Sequence, residues 1–140
     1  MFHFQLVSIS GKKFDEDVYE VILPTLDGHI GVLQDHMPLV SVATNGVVIV
    51  RRNQRDADHL REFFAISGGA IEVEHNNLRL LVDEADRAEE ISEGEAQKAL
   101  ERAQKMKSEA KDQVSLEHAQ SLVDRHEVRL HVASLKRRKH

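Results

Sequence analysis

The sequence predicts an all-β N-terminal sandwich or flattened barrel of about 8–10 short antiparallel strands, followed by a C-terminal antiparallel two-helix hairpin. Three observations predict it. Apolar residues alternate with period two from residue 2 to about residue 84, turn-forming pairs recur at close intervals through that stretch, and after residue 85 the texture changes to Ala, Glu, Lys, Gln and Arg with apolar spacings of three and four. The boundary falls between a strand domain over 1–86 and a helical domain over 87–140.

In order along the chain, Phe2/Phe4/Leu6 is the first alternating run, Val18/Glu20/Ile22 against Tyr19/Val21/Leu23 the next, and Val47 to Val50 a further strand. Between the strands stand Ser10-Gly11, Asp27-Gly28, Asn45-Gly46, Ser67-Gly68-Gly69 and Asn76-Asn77. Glycine and asparagine tolerate the positive φ that tight turns require. Asn76-Asn77 is the clearest hairpin turn, with Ile71 and Val73 on one arm and Leu78, Leu80 and Val82 on the other.

Ser92 with Glu95 three residues on forms a capping box, so the first helix begins near residue 93 and runs to about 108. Its stripe is Ala96, Ala99, Leu100, Ala103 and Met106. A second helix over 115–136 carries Leu116, Ala119, Val123, His126, Leu130 and Ala133, with 109–114 as the turn. Alanine dominates these stripes, and a methyl contributes roughly 0.8 kcal/mol on burial against about 1.5–3 for Leu or Val. Two readings follow: a mobile element that modest differential binding can redistribute, or a static amphipathic hairpin that finishes the fold.

One hundred and forty residues with 41% hydrophobic and 31% charged content fit a packed globular chain of one domain, or a small core plus an appendage. No run of eighteen apolar residues occurs, and the first residues lack signal-peptide features, so neither export nor independent membrane insertion is expected. The absence of cysteine excludes disulfides and thiolate zinc sites and agrees with a cytosol-facing location. The net charge of -5 is uneven: residues 1–90 carry 8 Lys or Arg against 16 Asp or Glu, whereas residues 91–140 carry 11 against 8. Two parts with different partners are implied.

No catalytic, metal or cofactor constellation emerges. The nine histidines include no His-Glu-x-x-His or His-x-His spacing, and only His126, on the helical stripe, is expected to be half-buried. Ser67-Gly68-Gly69 lacks the flanking residues of a phosphate loop or nucleophile elbow, and the carboxylate pairs lie in solvated polar runs. The negative strand domain disfavours nucleic acid. The basic tail of Arg125, Arg129, Lys136, Arg137, Arg138 and Lys139 suits an anionic surface, of which nucleic acid is the weakest candidate because no recognition module accompanies it.

The 27–39 segment, Asp-Gly-His-Ile-Gly-Val-Leu-Gln-Asp-His-Met-Pro-Leu, resembles the signature of the F-type ATP synthase epsilon family: Gly-x-Ile/Leu-Gly-Ile/Val, three residues, then His-x-Pro-Leu. It is joined in order by Phe64-Ala65-Ile66-Ser67-Gly68-Gly69-Ala70-Ile71-Glu72-Val73, by the hairpin ending in Leu81-Val82, and by Ala85-Asp86-Arg87-Ala88-Glu89-Glu90-Ile91 before two Ala-rich helices. The similarity covers nearly the whole chain.

The resemblance implies a non-catalytic rotor subunit of the central stalk, peripheral on the cytoplasmic face of the bacterial plasma membrane. Its sandwich would bind the gamma subunit and rest on the c-subunit ring through the 27–38 loop, with Asp27, Gly28, His29, Gly31, His36 and Pro38 as contacts. Its hairpin would extend toward the alpha/beta catalytic head and inhibit ATP hydrolysis, with Arg125, Arg129 and Lys136 through Lys139 meeting acidic segments of beta. Some relatives bind ATP through Ile/Leu-Asp-x-x-Arg-Ala; here that stretch is Ile91, Ser92, Glu93, Gly94, Glu95, Ala96. Arg102, Arg125 and Arg129 match other basic positions of that site. Glu95 places a negative charge where phosphate wants a positive one, so little or no ATP binding is expected. The charged 51–61 loop has no assigned role. The runner-up from the residues alone is a stand-alone sandwich binding module with a helical oligomerisation hairpin.

Overall fold

The structure, a computed structural model, describes residues 1–137, the last by its backbone alone. Ten strands come first: β1 (Phe2–Ser8), β2 (Gly11–Val18), β3 (Glu20–Thr25), β4 (Gly28–Val32), β5 (Leu39–Ala43), β6 (Gly46–Arg51), β7 (Glu62–Ile66), β8 (Gly69–Glu74), β9 (Asn77–Val82) and β10 (Ala85–Arg87). Two helices follow, α1 (Glu93–Glu109) and α2 (Gln113–Arg137). The strands form one sheet in the order β10-β7-β6-β3-β5-β8-β9-β1-β2, with β4 on β3. A single residue pair, Thr25 with Ala43, joins β3 to β5, and there the sheet folds into two facing layers.

Period-two alternation places Phe4, Leu6, Val21, Leu23, Val48, Val50, Phe64, Ile71, Leu78 and Leu80 between the layers. The side opposite the fold is plugged by Phe14, 5.4 Å from Phe4 and 5.9 Å from Phe64 between ring centroids. Arg52 and Arg87 cover the plug. Arg52 stacks 4.9 Å from Phe14, Arg87 stacks 4.8 Å from Phe64, and both pair with Glu62. Arg51 anchors the following loop through Asp58 at 2.9 Å, so the ends of the 51–61 loop belong to this closure.

The expectation of antiparallel strands holds with one exception. β1 lies parallel to β9, an arrangement open to strands that no short hairpin turn connects. The hairpin turn also sits one residue earlier than Asn76-Asn77. His75 and Asn76 carry the positive φ values, 49° and 60°, and Asn77 already pairs with Glu74. Register decides this: Ile71 must face Leu80 and Val73 must face Leu78 in the core, which leaves a two-residue loop at 75–76. Gly69 is required for another reason, since a Cβ there would stand 1.9 Å from the Leu81 carbonyl oxygen.

Ser92 caps α1 by accepting from the Glu95 backbone N–H at 3.3 Å. The second helix starts before residue 115, because Asp112 accepts from the Ser115 N–H at 2.7 Å and supplies the cap. Met106 and Leu116, expected in the stripes, are only partly covered at the turn end of the hairpin, 43% and 37% exposed. α2 lies across the outer face of β6 and β7, where Val132 and Ala133 bury against Phe63, Ala65, Ala88 and Ile91, with Val128 and Leu135 beside them. Ala133 belongs to the expected stripe, whereas Val128, Val132 and Leu135 extend it into a second apolar face that was not expected.

Candidate functional site

One outer face of the sandwich is covered by α2; the other is open. On β5 the small residue Ala43 turns inward, while Val40 and Val42 turn out and are 81% and 59% exposed. Cross-strand register sets Val42 beside Ala70, then Leu81, then Val7, which extends an apolar band across four strands. The neighbouring row is Val40, Glu72, Arg79 and Gln5, with Glu72 and Arg79 3.9 Å apart. Burying each valine on a partner would contribute about 1.5–3 kcal/mol. Sequence reasoning missed this band because alternation shows that β5 has two faces but not which one looks inward.

The 27–38 segment is not one loop, contrary to expectation. β4 occupies its middle and pairs with β3 from Thr25–Gly28 to Val21–Val32, burying Val32 in the core. Asp27, Gly28 and His29 therefore lie at one end of the sandwich, and His36 and Pro38 at the other, separated by a strand of about 13 Å. Gly31, paired with Ile22, sits between. Gly28 takes φ 112°, and its carbonyl accepts from the Thr25 hydroxyl at 2.6 Å; beside it Leu26 is 79% exposed. At the far end, Asp35 and Asn76 hydrogen-bond each other and the half-buried His36 bonds its ring Nδ1 to the Met37 carbonyl at 2.7 Å. Met37 is 73% exposed there and leads directly into Val40.

The cations assigned to an inhibitory contact are engaged within the chain. Arg125 pairs with Glu84, Arg129 with Asp86 at 3.0 Å, and Lys136 with Glu89 at 2.9 Å. One face of α2 is thus tied to the strand-to-helix connection by three ion pairs as well as apolar packing. The side chain of Arg137 and all of Arg138 and Lys139 lie outside the described residues. Of the residues matching the nucleotide motif, Ile91 and Ala96 are buried in the cluster where the hairpin meets β7 and Ser92 is the α1 cap. Arg102 comes within electrostatic reach of His126, as do Arg125 and Arg129, but the last two already neutralise carboxylates. Burial first and Arg129 second push the Arg125 guanidinium below its ordinary value. Among the described residues no group of three or more His, Asp or Glu is placed to hold a metal ion, and no helix is long and apolar enough to cross a membrane.

A β-sandwich with one outer face covered by its own helix and an exposed apolar band on the other has the surface of an interaction module. Residues 1–88 match the family described as ATP synthase, Delta/Epsilon chain, beta-sandwich domain. The ATP synthase epsilon chain of Lactobacillus delbrueckii subsp. bulgaricus is 33% identical over 94% of this chain and 92% of its own length. A chain in the Euglena gracilis mitochondrial ATP synthase OSCP/F1/c-ring structure shares the fold at TM-score 0.76 and 23% identity, covering 94% of this chain and 79% of that one. A chain in the Tetrahymena thermophila mitochondrial ATP synthase central stalk/c-ring structure shares it at TM-score 0.62 and 12% identity, covering 94% and 95%. The chain belongs to the ATP synthase epsilon-chain family.

Proposed function

We propose that this chain is a non-catalytic central-stalk subunit of an F-type ATP synthase, peripheral to the membrane, which couples ion-driven rotation of a c-ring to the catalytic head. The observation that carries the reading is the open Val40/Val42 band on a sandwich whose opposite face is occupied by its own helix. A gamma subunit is the partner for that band, and Met37 and His36 at its edge extend the same contact. The c-ring contact is then the opposite end alone, at Leu26, Asp27, Gly28 and His29, since one flat contact cannot take both ends of β4. The Tetrahymena thermophila chain of the same fold belongs to a central stalk and c-ring assembly, which supports the assignment. The folded-back hairpin is the resting state; released, it reaches the alpha/beta head and inhibits hydrolysis with the cations that now tie it down.

The test is co-purification with gamma. The Val40→Lys/Val42→Lys chain should fold with unchanged circular dichroism, because both side chains are solvent-facing, and lose gamma binding by at least about a hundredfold, from two buried valines replaced by charges. Retained stoichiometric binding would refute the assignment of this face.

A further inference from the structure

His126 occupies a place in the hairpin that favours an uncharged imidazole. It lies half-buried on α2, one turn from Arg129 and next to Arg125. Arg129 donates from Nε to Asp86 at 3.0 Å and directs an Nη hydrogen toward His126 Nδ1 at 3.5 Å. That contact needs the Nδ1 lone pair, so the proton of the neutral ring is on Nε2. The charged groups facing the ring are Arg125 and Arg129 from its own helix, Arg102 from α1 and Asp86 from β10. Three cations stand against Asp86 and, beyond it, the Glu84 that pairs with Arg125, and Arg125 keeps its Nε buried without a partner. Protonating His126 would turn the Arg129 contact into two hydrogens pointed at each other and add a fourth positive charge beside the ion pairs that tie α2 to the sandwich.

We infer that His126 is a proton-operated release for the helical hairpin: the neutral ring completes the Arg129–Asp86 attachment of α2 to the sandwich, and the charged ring expels it. This deepens the proposed function and rests on its reading that the hairpin can leave the sandwich. Desolvation by burial, then Arg125, Arg129 and Arg102, hold the imidazole below the ordinary value of 6.5, with Asp86 opposing. The attached state is therefore complete above the ordinary histidine value and weakens as pH falls from there through the lowered one, since the released ring binds protons more readily. In the assembled synthase, cytosolic acidification would then favour the inhibitory, extended hairpin.

The full chain has no cysteine, so Glu72→Cys and Lys105→Cys, both at exposed positions, place a fluorophore pair across the sandwich and α1. Between about pH 7.5 and about pH 5.5, above the carboxylate range, the long-distance population should rise at least about threefold, and His126→Gln should abolish that rise. An equal acid response in the His126→Gln chain would overturn the inference. So would a pH-independent distance in the parent chain when raised ionic strength or Arg129→Gln does release the hairpin, although the mobile hairpin itself would then stand. If neither acid, salt nor Arg129→Gln moves the labels apart, the hairpin is a fixed part of the fold, and both this inference and the release step of the proposed function fail.

Discussion

His3 is held between two carboxylates, its Nδ1 2.7 Å from Asp17 and its Nε2 2.6 Å from Asp15. The Asp17 hydrogen bond first and the Asp15 bond second raise its pKa above 6.5, against a small burial effect. Asp15 is correspondingly lowered to about 2 by His3, then Lys12 and Gln5. The folded chain thus keeps the imidazole proton longer than the unfolded one. The stabilisation is complete below the ordinary histidine value and is lost as pH rises through the raised one. Because the groups are largely exposed, its size is that of a surface pair. The urea midpoints of the parent and His3→Gln chains should differ at about pH 6 and converge as pH rises past the raised value; a gap that persists or widens with pH would show that His3 acts by packing instead. In the sequence His3 reads as an ordinary terminal histidine. Its partners exist only because β1 and β2 pair His3 with Asp17 in register.

At the scale of elements, α2 has two jobs, and only one was legible. The 3-4-3-4-3 stripe located the seam with α1, and Leu100, Ala103 and Val123 do bury there. The second face, with Val128, Val132 and Leu135, had a signal in a different segment: Phe63-Phe64-Ala65-Ile66 in β7 is apolar without alternation, as expected of a strand covered on both sides. That coverage makes the attachment larger than alanine stripes alone imply. Val132 is fully buried in it, and Val132→Ala removes about 1.6 kcal/mol of burial at about 0.8 per methylene. Hydrogen exchange should quicken more than about tenfold in α1 and α2 amides while sandwich amides keep their rates, since the hairpin opens as its own unit. Uniform acceleration of both would mean that hairpin and sandwich unfold together.

For the molecule as a whole, the helices complete the sandwich as well as decorate it. Ending the chain at residue 90 leaves the inter-layer core of Phe4, Leu6, Phe64 and Leu80 intact but uncovers Phe63, Ala65, Val47 and Ile49. The truncated chain should fold, bind several-fold more of a hydrophobic dye such as ANS, and lose a few kcal/mol of stability, on the order of one large buried side chain. Dye binding equal to the full chain would show that this face is covered by something other than α2. By itself the sequence determined the strand and helix content, the capped start at Ser92, the family and the uneven charge, because alternation, turn chemistry and capping are local. It left open which face of β5 looks outward, that the 27–38 signature divides between opposite ends of the sandwich, and that Arg125, Arg129 and Lys136 meet Glu84, Asp86 and Glu89. Those outcomes depend on register and on the packing of elements distant in sequence, which only the folded arrangement decides.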